Sequence, residues 1–209
     1  MKAFKSALLL AACASTLVSC SNNDDVNNDV KNPLEGSYTF VGMKANTYAE
    51  VEQRYSDDTD VYKTITTSDY DAKDLAGTVV IDAARFNSSK FKYTINTNVI
   101  GTIYTNGEES GYSNQPWNYP VPESSGSSTY KLVGTDSISF TGGFVISPVF
   151  GEDPAPSPAY GAKYKWEGDT LVIASDFRQL DTTTLTDQGQ SMTMYSDKRS
   201  TQIMRLKKN

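Results

Sequence analysis

The side chains that could carry catalysis are limited by the absence of histidine. The 209-residue chain contains no His, 25 Asp plus Glu, 19 Lys plus Arg and 2 Cys. Without His, a Ser-His-Asp or Cys-His nucleophile and a His-ligated zinc site are excluded. Two carboxylates could hydrolyse a glycoside, but no motif singles out a pair, and no Ser-x-x-Lys or phosphate-binding loop is present. The sequence therefore predicts a protein that is not an enzyme and that uses no cofactor.

Two acidic clusters offer oxygen atoms of the kind that Ca²⁺ prefers. They are Asp57-Asp58-Thr59-Asp60 and Asp69-Tyr70-Asp71. Neither has the Asp-x-Asp-x-Asp-Gly spacing and the terminal Glu of a calcium-binding loop. We therefore interpret both clusters as solvated surface charge and predict no metal site.

Three aromatic residues among amide side chains form the strongest candidate for a binding site. Tyr112, Trp117 and Tyr119 lie in the proline-containing stretch 108–129. The same stretch supplies the amide residues Asn114, Gln115 and Asn118. An aromatic face covers apolar area while amides orient a ligand, which suits a sugar or a small apolar molecule. The alternative is that Trp117 and Tyr119 fold back and close one end of the domain.

The charge of the chain argues against nucleic-acid binding. Its formal net charge is −6 at pH 7, whereas sequence-independent binding to phosphates needs a basic surface. The basic residues near the C-terminus, Lys207 and Lys208 among them, have no interleaved aromatic residues. We predict no nucleic-acid partner and interpret these cations as charges that flank a final strand.

The N-terminus has the features of an export signal. Lys2 and Lys5 precede an apolar run from Ala7 to Val18, which is too short for a membrane span. The run ends in Leu17-Val18-Ser19-Cys20, which resembles the lipobox of bacterial lipoproteins. The resemblance implies that residues 1–19 are a signal peptide and that Cys20 is lipidated and anchors the protein to a membrane. The alternative is an ordinary cleaved signal with a chance cysteine.

Residues 20–33 continue as a polar, acidic stretch without aromatic residues. Such a composition is typical of a flexible tether. A lipidated Cys followed by a short Ser/Asn/Asp segment resembles lipoproteins of the Bacteroidetes, in which acidic residues at this place can mark export to the cell surface. The resemblance implies an outer-membrane lipoprotein exposed at the surface.

Residues 34–209 are predicted to form a single all-β domain. Apolar residues alternate with polar ones in many short segments, of which 91–95 (Phe-Lys-Tyr-Thr-Ile) is the clearest. This alternation indicates half-buried antiparallel strands. Turn sequences separate the segments: Asn87-Ser88-Ser89, Asn106-Gly107, Glu167-Gly168-Asp169 and Asp187-Gln188-Gly189-Gln190. Short turns between many strands favour an antiparallel meander that closes as a β-barrel, or else a β-sandwich.

Three segments depart from this strand pattern. The prolines within 108–129 and 147–161 predict two long loops, because proline cannot donate to the hydrogen-bond ladder of an interior strand. Residues 49–55 are the one place where a short helix fits the sequence.

The two ends of the domain resemble those of lipocalins and related calycin-like barrels. Leu34-Glu35-Gly36-Ser37-Tyr38 is similar to the Gly-x-Trp start of their first strand, with Tyr38 in place of Trp. Those families often carry an Arg on the last strand that packs on this ring, and Arg205 is the matching residue. The resemblance implies a lipocalin-like β-barrel in which Arg205 stacks on Tyr38 through a cation–π contact. A β-sandwich stays open as the alternative fold.

Together these features predict an envelope-anchored lipoprotein whose β-barrel binds a small apolar ligand or a glycan through Tyr112, Trp117 and Tyr119. The alternative is a non-catalytic structural or interaction module of an envelope complex. A closed barrel with a roomy interior favours the first function, and a filled core with an exposed apolar patch favours the second.

Replacing Cys20 with alanine should abolish the lipid anchor. We expect Cys20→Ala to release the protein from the membrane fraction or to stall its processing, because lipidation needs the thiol and the acyl chains supply the membrane affinity. Cell fractionation followed by immunoblotting measures both effects. Cys13→Ala is the matched control, since Cys13 lies inside the predicted signal peptide. Equal membrane retention and unchanged processing of Cys20→Ala would contradict the prediction.

Overall fold

The computed structural model describes residues 32–142, 159–187 and 189–209. Its nine strands are β1 (Gly36–Tyr55), β2 (Val61–Asp71), β3 (Lys73–Ile81), β4 (Arg85–Thr105), β5 (Glu108–Val133), β6 (Ser137–Phe140), β7 (Tyr160–Glu167), β8 (Thr170–Asp187) and β9 (Gln190–Lys208). No helix in the described ranges is long and apolar enough to cross a membrane. The predicted all-β class is confirmed, whereas the predicted signal peptide, Cys20 and most of the tether lie outside the described residues.

The strands form one antiparallel sheet that closes on itself. Their order is β2-β1-β3-β4-β5-β6-β7-β8-β9, with additional pairings β2–β4 and β1–β9. From β3 onward each strand pairs with its successor in the chain, which defines a meander. The β1–β9 pairing joins the first strand to the last and turns the sheet into a ring. The fold is therefore a barrel-like antiparallel meander, and the β-sandwich alternative is wrong.

Strands β2 and β3 act as one interrupted strand. Both run antiparallel to β1, and both pair with β4. Ala72 separates them, and its amide donates to the carbonyl of Met43 with an N···O distance of 2.8 Å. The ring therefore has eight strand positions around its circumference, a size at which side chains can fill the interior.

Apolar side chains fill one end of the interior, where Tyr38 of β1 pairs with Val79 of β3. The largest fully buried side chains are Tyr38, Phe86, Phe140, Leu34, Ile138, Leu171, Leu206 and Val79. Phe40 stacks on Phe91 with 4.5 Å between ring centres, and Phe86 meets Phe140 edge to face at 5.5 Å. Aromatic pairs of this geometry contribute beyond the area that they bury.

The outer wall of the barrel carries polar residues and some exposed apolar ones. On β1, the exposed Thr39 lies between the buried Tyr38 and Phe40, and on β9 the buried Leu206 is followed by the exposed Lys207. This alternation follows from the two-residue period of a strand. Apolar side chains are exposed on this wall as well: Val80, between the buried Val79 and Ile81 of β3, is 49 % exposed.

The residues that lead into β1 close one end of the barrel. Leu34 is fully buried, and its carbonyl accepts a hydrogen bond of 2.6 Å from the Tyr38 hydroxyl. Burial disfavours the charged phenolate and raises the pKa of Tyr38 to about 12. Asn32 donates to the hydroxyl of Tyr130, which in turn donates to the carbonyl of Asp82 at 2.7 Å. These bonds fix the chain to the barrel before the first strand begins.

Two of the predicted turns are confirmed by backbone conformation. Asn106 (φ 53°) and Gly107 (φ 86°) join β4 to β5, as the positive φ angles of a type I′ turn require. Gly168 (φ 64°) and Asp169 join β7 to β8. At the third predicted turn, Gly189 lies between β8 and β9, and Gln188 falls outside the described residues.

Two further sequence predictions are wrong. Residues 87–89 are not a turn but lie within β4, where an irregularity between Ser88 and Phe91 places Lys90 at φ 54°. Residues 49–55 are not helical, because β1 continues to Tyr55 and pairs with β9 along this length. The polar residues that indicated a turn at 87–89 lie at a bulge in β4. Those that indicated a helix at 49–55 lie on β1 and pair with β9.

The segment 108–129 is a strand rather than the predicted loop. It pairs with β4 throughout, whereas β5 pairs with β6 only over 130–133. Within the described residues, this part of β5 is therefore an edge. An edge tolerates Pro116, Pro120 and Pro122, because a missing N–H on that side breaks no ladder hydrogen bond. The second predicted loop, 147–161, lies outside the described residues except for its last three, of which Tyr160 and Gly161 begin β7.

Gly77→Ala should destabilise the barrel strongly. Gly77 has φ +125°, and an added Cβ would lie 2.4 Å from Phe91 Cδ1 and 2.9 Å from Phe91 Cα. Because the backbone atom cannot move aside, we expect the free energy of unfolding to fall by more than about 1 kcal/mol. Gly111→Ala is the control, since its added Cβ meets only Ile103, at 3.5 Å or more, and should change stability by about 0.5 kcal/mol or less. Equal denaturant midpoints for the two variants would contradict this packing.

Candidate binding site

The register of β5 separates the three predicted binding aromatics onto two faces. Trp117 pairs with Thr97, and Tyr119 pairs with the buried Ile95. These two rings therefore lie on the strand face that continues the barrel interior, which we call the inner face. Tyr112 pairs with Thr102 on the opposite face and is 62 % exposed. The structure brings Trp117 and Tyr119 together and places Tyr112 apart from them.

Trp117 and Tyr119 form what we call the β5 aromatic pair. Their ring centres are 6.2 Å apart with an angle of 35° between the planes. Tyr119 packs against the core, and Val121, the next residue on this face, is buried. Trp117 is 37 % exposed. Along the inner face the side chains thus pass from the core at Val121 to a ring accessible from solvent at Trp117.

The amide residues of the predicted site divide in the same way. Gln115 pairs with Val99 and shares the inner face with Trp117, whereas Asn114 and Asn118 alternate onto the face of Tyr112. The inner-face set that a ligand could reach together is therefore Gln115, Trp117 and Tyr119. Sequence alone could not assign these faces, because it predicted a loop and a loop has no two-residue alternation.

Hydroxyl groups continue the inner face beyond the aromatic core. Thr47 pairs with Ser68 on one side and with Ser200 on the other, and the Thr47 and Ser68 hydroxyls are 2.8 Å apart. All three residues are buried, as is Gln202 on β9. The inner face therefore changes from apolar to polar along the barrel. Buried hydroxyl and amide groups of this kind can bond to a polar ligand.

A second set of rings extends from the core on the opposite side of the barrel. Phe140 stacks on Tyr160 with 4.8 Å between ring centres, and Tyr160 lies 4.8 Å from Phe177. Burial raises the pKa of Tyr160 above its ordinary value. Phe177 pairs with the buried Ser200, so it belongs to the inner face. No local sequence pattern predicts the convergence of these rings, because it depends on the β6–β7 and β8–β9 pairings.

Tyr38 and Arg205 lie on neighbouring strands but on opposite faces. Tyr38 is buried in the core, whereas Arg205 pairs with Gly42 on the outer wall and approaches Glu167 at 3.9 Å. The neighbouring ends predicted from the sequence are confirmed, and the predicted Arg205–Tyr38 stack is wrong, because a residue next to the buried Leu206 must point outward. The cation over a ring at this end is Lys208, 5.7 Å from the centre of Trp166, a ring that lies 6.2 Å from Tyr38.

The acidic clusters act as turn and strand-end groups. Asp58 accepts hydrogen bonds from the Asp60 amide and the Tyr62 hydroxyl, and Asp60 accepts one from the Asn106 side chain. Asp71 pairs with Lys44 at 2.9 Å. Among the described residues, no group of three or more Cys, Asp or Glu side chains is arranged to hold a metal ion.

Three charged residues that the sequence analysis did not single out meet on the outer wall. Arg178 of β8 donates to both carboxylate oxygens of Asp197, at 3.1 and 2.8 Å, and Arg199 of β9 donates to the same carboxylate. The guanidinium groups of Arg199 and Arg178 hold the pKa of Asp197 well below its usual range. Asp197 and Arg199 are two residues apart, which predicts a shared face. Arg178 could not be assigned to this cluster from the sequence, because its position depends on the β8–β9 register.

Comparisons with known proteins identify no family. No family model matches the chain, and no curated protein matches it. A solved structure of Ail, the attachment invasion locus protein of Yersinia pestis, is similar at 8 % identity and a TM-score of 0.13, covering 81 % of this chain and 99 % of that chain. A second Ail structure, in complex with the heparin analogue sucrose octasulfate, is similar at 7 % identity and a TM-score of 0.15 with the same coverage. At these TM-scores the likeness carries no argument about this chain.

Trp117→Ala should cost less stability than truncation of a core ring. Trp117 is 37 % exposed, whereas Phe86 is fully buried. We expect Phe86→Ala to lower the free energy of unfolding by about 3–5 kcal/mol, and Trp117→Ala to lower it by clearly less. Chemical denaturation of both variants and the parent measures the difference. Equal losses would instead show that Trp117 closes the barrel, as in the alternative interpretation of the sequence.

Proposed function

We propose that this chain is a lipid-anchored, non-catalytic binding protein of the bacterial outer membrane that takes a small apolar ligand or a glycan on the inner face of its barrel. The observation that carries the proposal is the β5 aromatic pair. Trp117 and Tyr119 lie side by side where the inner face leaves the core, and the Trp117 ring is accessible from solvent. An accessible indole beside a packed core is a surface on which a ring-shaped ligand can stack.

The composition of the inner face favours a ligand with both apolar and hydroxyl groups. Trp117 and Tyr119 supply apolar surface, whereas Gln115, Thr47 and Ser68 supply amide and hydroxyl groups along the same face. Sites for small molecules combine a mainly apolar lining with a few polar groups that fix orientation. A glycan fits this combination better than a purely aliphatic molecule, which would form no hydrogen bond with the exposed Gln115 side chain.

The charged residues of the outer wall support the proposed attachment through an N-terminal lipid. Lys207 and the Arg178–Asp197–Arg199 cluster lie on this wall, and transferring such charges into hydrocarbon is costly. The export signal and Cys20 supply an anchor at the other end of the predicted tether. Surface exposure on the outer membrane rests on the resemblance of that tether to Bacteroidetes lipoproteins.

A second candidate function is an interaction module without a ligand. Leu180 and Leu185 on β8 are 63 % and 52 % exposed, and β7 pairs with β8 only up to Ser175. Within the described residues, the remainder of β8 therefore has a free edge beside exposed leucines. Such an edge can add a strand from a partner protein.

Trp117→Ala should weaken ligand binding while Tyr112→Ala leaves it unchanged. Both rings lie on β5, but only Trp117 lies on the inner face, so the pair separates stacking from general surface effects. We propose to screen the parent protein against a panel of glycans and lipids and to titrate each hit against both variants. Loss of one stacked ring should weaken binding about tenfold or more, by analogy with the 1–3 kcal/mol of a base–aromatic stack.

The same experiment separates the two candidate functions. Equal affinities of Trp117→Ala and Tyr112→Ala would contradict the inner-face site. A parent protein that binds no member of the panel, together with a large loss of stability in Trp117→Ala, would favour the interaction module.

A further inference from the structure

A groove of about 460 Å³ lies on the outer wall, across strands β8, β9 and β1. We call it the outer groove. The residues that matter for its chemistry are Asn46, Tyr48, Asp176, Arg178, Arg199 and Thr201. The strand register explains why they meet: Asp176 and Asn46 both pair with Thr201, and Arg178 and Tyr48 both pair with Arg199. Two adjacent rows of three side chains therefore form the lining. The arginine row is Arg178, Arg199 and Tyr48, and the Asp176 row is Asp176, Thr201 and Asn46.

The two arginines of the outer groove are held in place from outside it. Asp197 is 17 % exposed and accepts hydrogen bonds from both guanidinium groups. Arg199 also lies over the ring of Tyr48, with its Cζ 5.3 Å from the ring centre. Each guanidinium has five N–H donors, so donors remain after Asp197 is bonded. Ordering these side chains beforehand lowers the entropy cost of binding a ligand.

The charge of this arrangement favours an anion at the arginine row. Two guanidinium groups face one carboxylate, so the Arg178–Asp197–Arg199 cluster keeps one net positive charge, and the charge of the neighbouring Glu50 is balanced by Lys63 at 3.9 Å. Arginine forks match the geometry of a carboxylate and can bind it through two parallel hydrogen bonds. Tyr48 does not compete for this charge, because its hydroxyl donates to Glu50 at 2.5 Å.

The other row of the outer groove suits hydroxyl groups. Asp176 accepts a hydrogen bond of 2.6 Å from the Thr201 hydroxyl, and its carboxylate has further acceptor sites. Asn46 offers both a donor and an acceptor beside the same threonine. A simple anion would gain nothing from these groups and would be repelled by Asp176, whereas a polyol would bond to both.

We propose that the outer groove binds an acidic saccharide unit, with its carboxylate on Arg178 and Arg199 and its hydroxyls on Asp176 and Asn46. This ligand class uses both rows at once. A neutral sugar would leave the arginine charge uncompensated, and a plain carboxylate would leave the Asp176 row unused. The site is distinct from the β5 aromatic pair, because it lies on the outer wall and on other strands.

The test is calorimetric titration of the purified full-length protein with trigalacturonic acid and with neutral galactotriose of the same length. We expect the acidic trisaccharide to bind and the neutral one to bind at least about tenfold more weakly, since one charge-assisted hydrogen bond is worth about that factor or more. Added salt should weaken the acidic interaction, because part of it is exposed and Coulombic.

Matched variants locate the binding. Arg178→Gln should weaken trigalacturonic acid about tenfold or more. Arg54→Gln should leave it unchanged, although Arg54 also bonds to a carboxylate, that of Glu52, and lies over a ring, that of Tyr195. Asp176→Asn should strengthen binding of acetate, because it replaces a carboxylate that repels an anion with a neutral amide.

The proposal is overturned by any of three results: no binding of trigalacturonic acid at millimolar concentration, equal affinity for galactotriose, or equal effects of Arg178→Gln and Arg54→Gln. Both variants replace exposed side chains, and circular dichroism checks that each is folded. Trp117→Ala should not change this affinity. Loss of binding in Trp117→Ala with retention in Arg178→Gln would place the saccharide on the inner face and would contradict the outer groove.

Discussion

The pairing of the first strand with the last is the constraint on which the rest of the structure depends. β1 and β9 are paired from Tyr38 opposite Lys208 to Tyr55 opposite Met192. This pairing brings Tyr38 and Leu206 into one core and removes what would otherwise be two long sheet edges. The contacts between Leu34, Tyr38 and Tyr130 then close one end of the ring. Without closure, neither the inner face nor the outer groove would exist, because each combines strands that are distant in the chain.

The two candidate sites lie on opposite faces of the same sheet, because successive side chains of a strand point to opposite faces. On the inner face, the apolar set that fills the core continues into Trp117 and Phe177 and then into buried hydroxyl groups such as that of Thr47. On the outer wall, the intervening residues are charged, and Asp197 orders two arginines that repulsion would otherwise separate. The interior therefore offers stacking and neutral hydrogen bonds, whereas the exterior offers charge.

Sequence reasoning succeeded where a signal is local. The two-residue period identified the strands, and Asn106-Gly107 identified a hairpin, because both depend on neighbouring residues. It failed where a tertiary partner decides the outcome. Pro116 indicated a loop, yet one free edge is enough to accommodate it in a strand. Arg205 was paired with Tyr38 by resemblance, yet its face follows from the register of β9. The Arg178–Asp197 contact depends on cross-strand register, which the sequence does not encode within any short window.

The register of closure can be tested directly by a disulfide across β1 and β9. Thr39 and Lys207 are exposed register partners, and the described residues contain no cysteine. Cysteines introduced at both positions should form a disulfide under mild oxidation, because directly opposite residues bring their Cβ atoms within bonding range. Thr39→Cys with Arg205→Cys, displaced by two residues, should keep free thiols. A bridge in the displaced variant, or free thiols in the Thr39–Lys207 variant, would contradict the closed barrel from which both sites are derived.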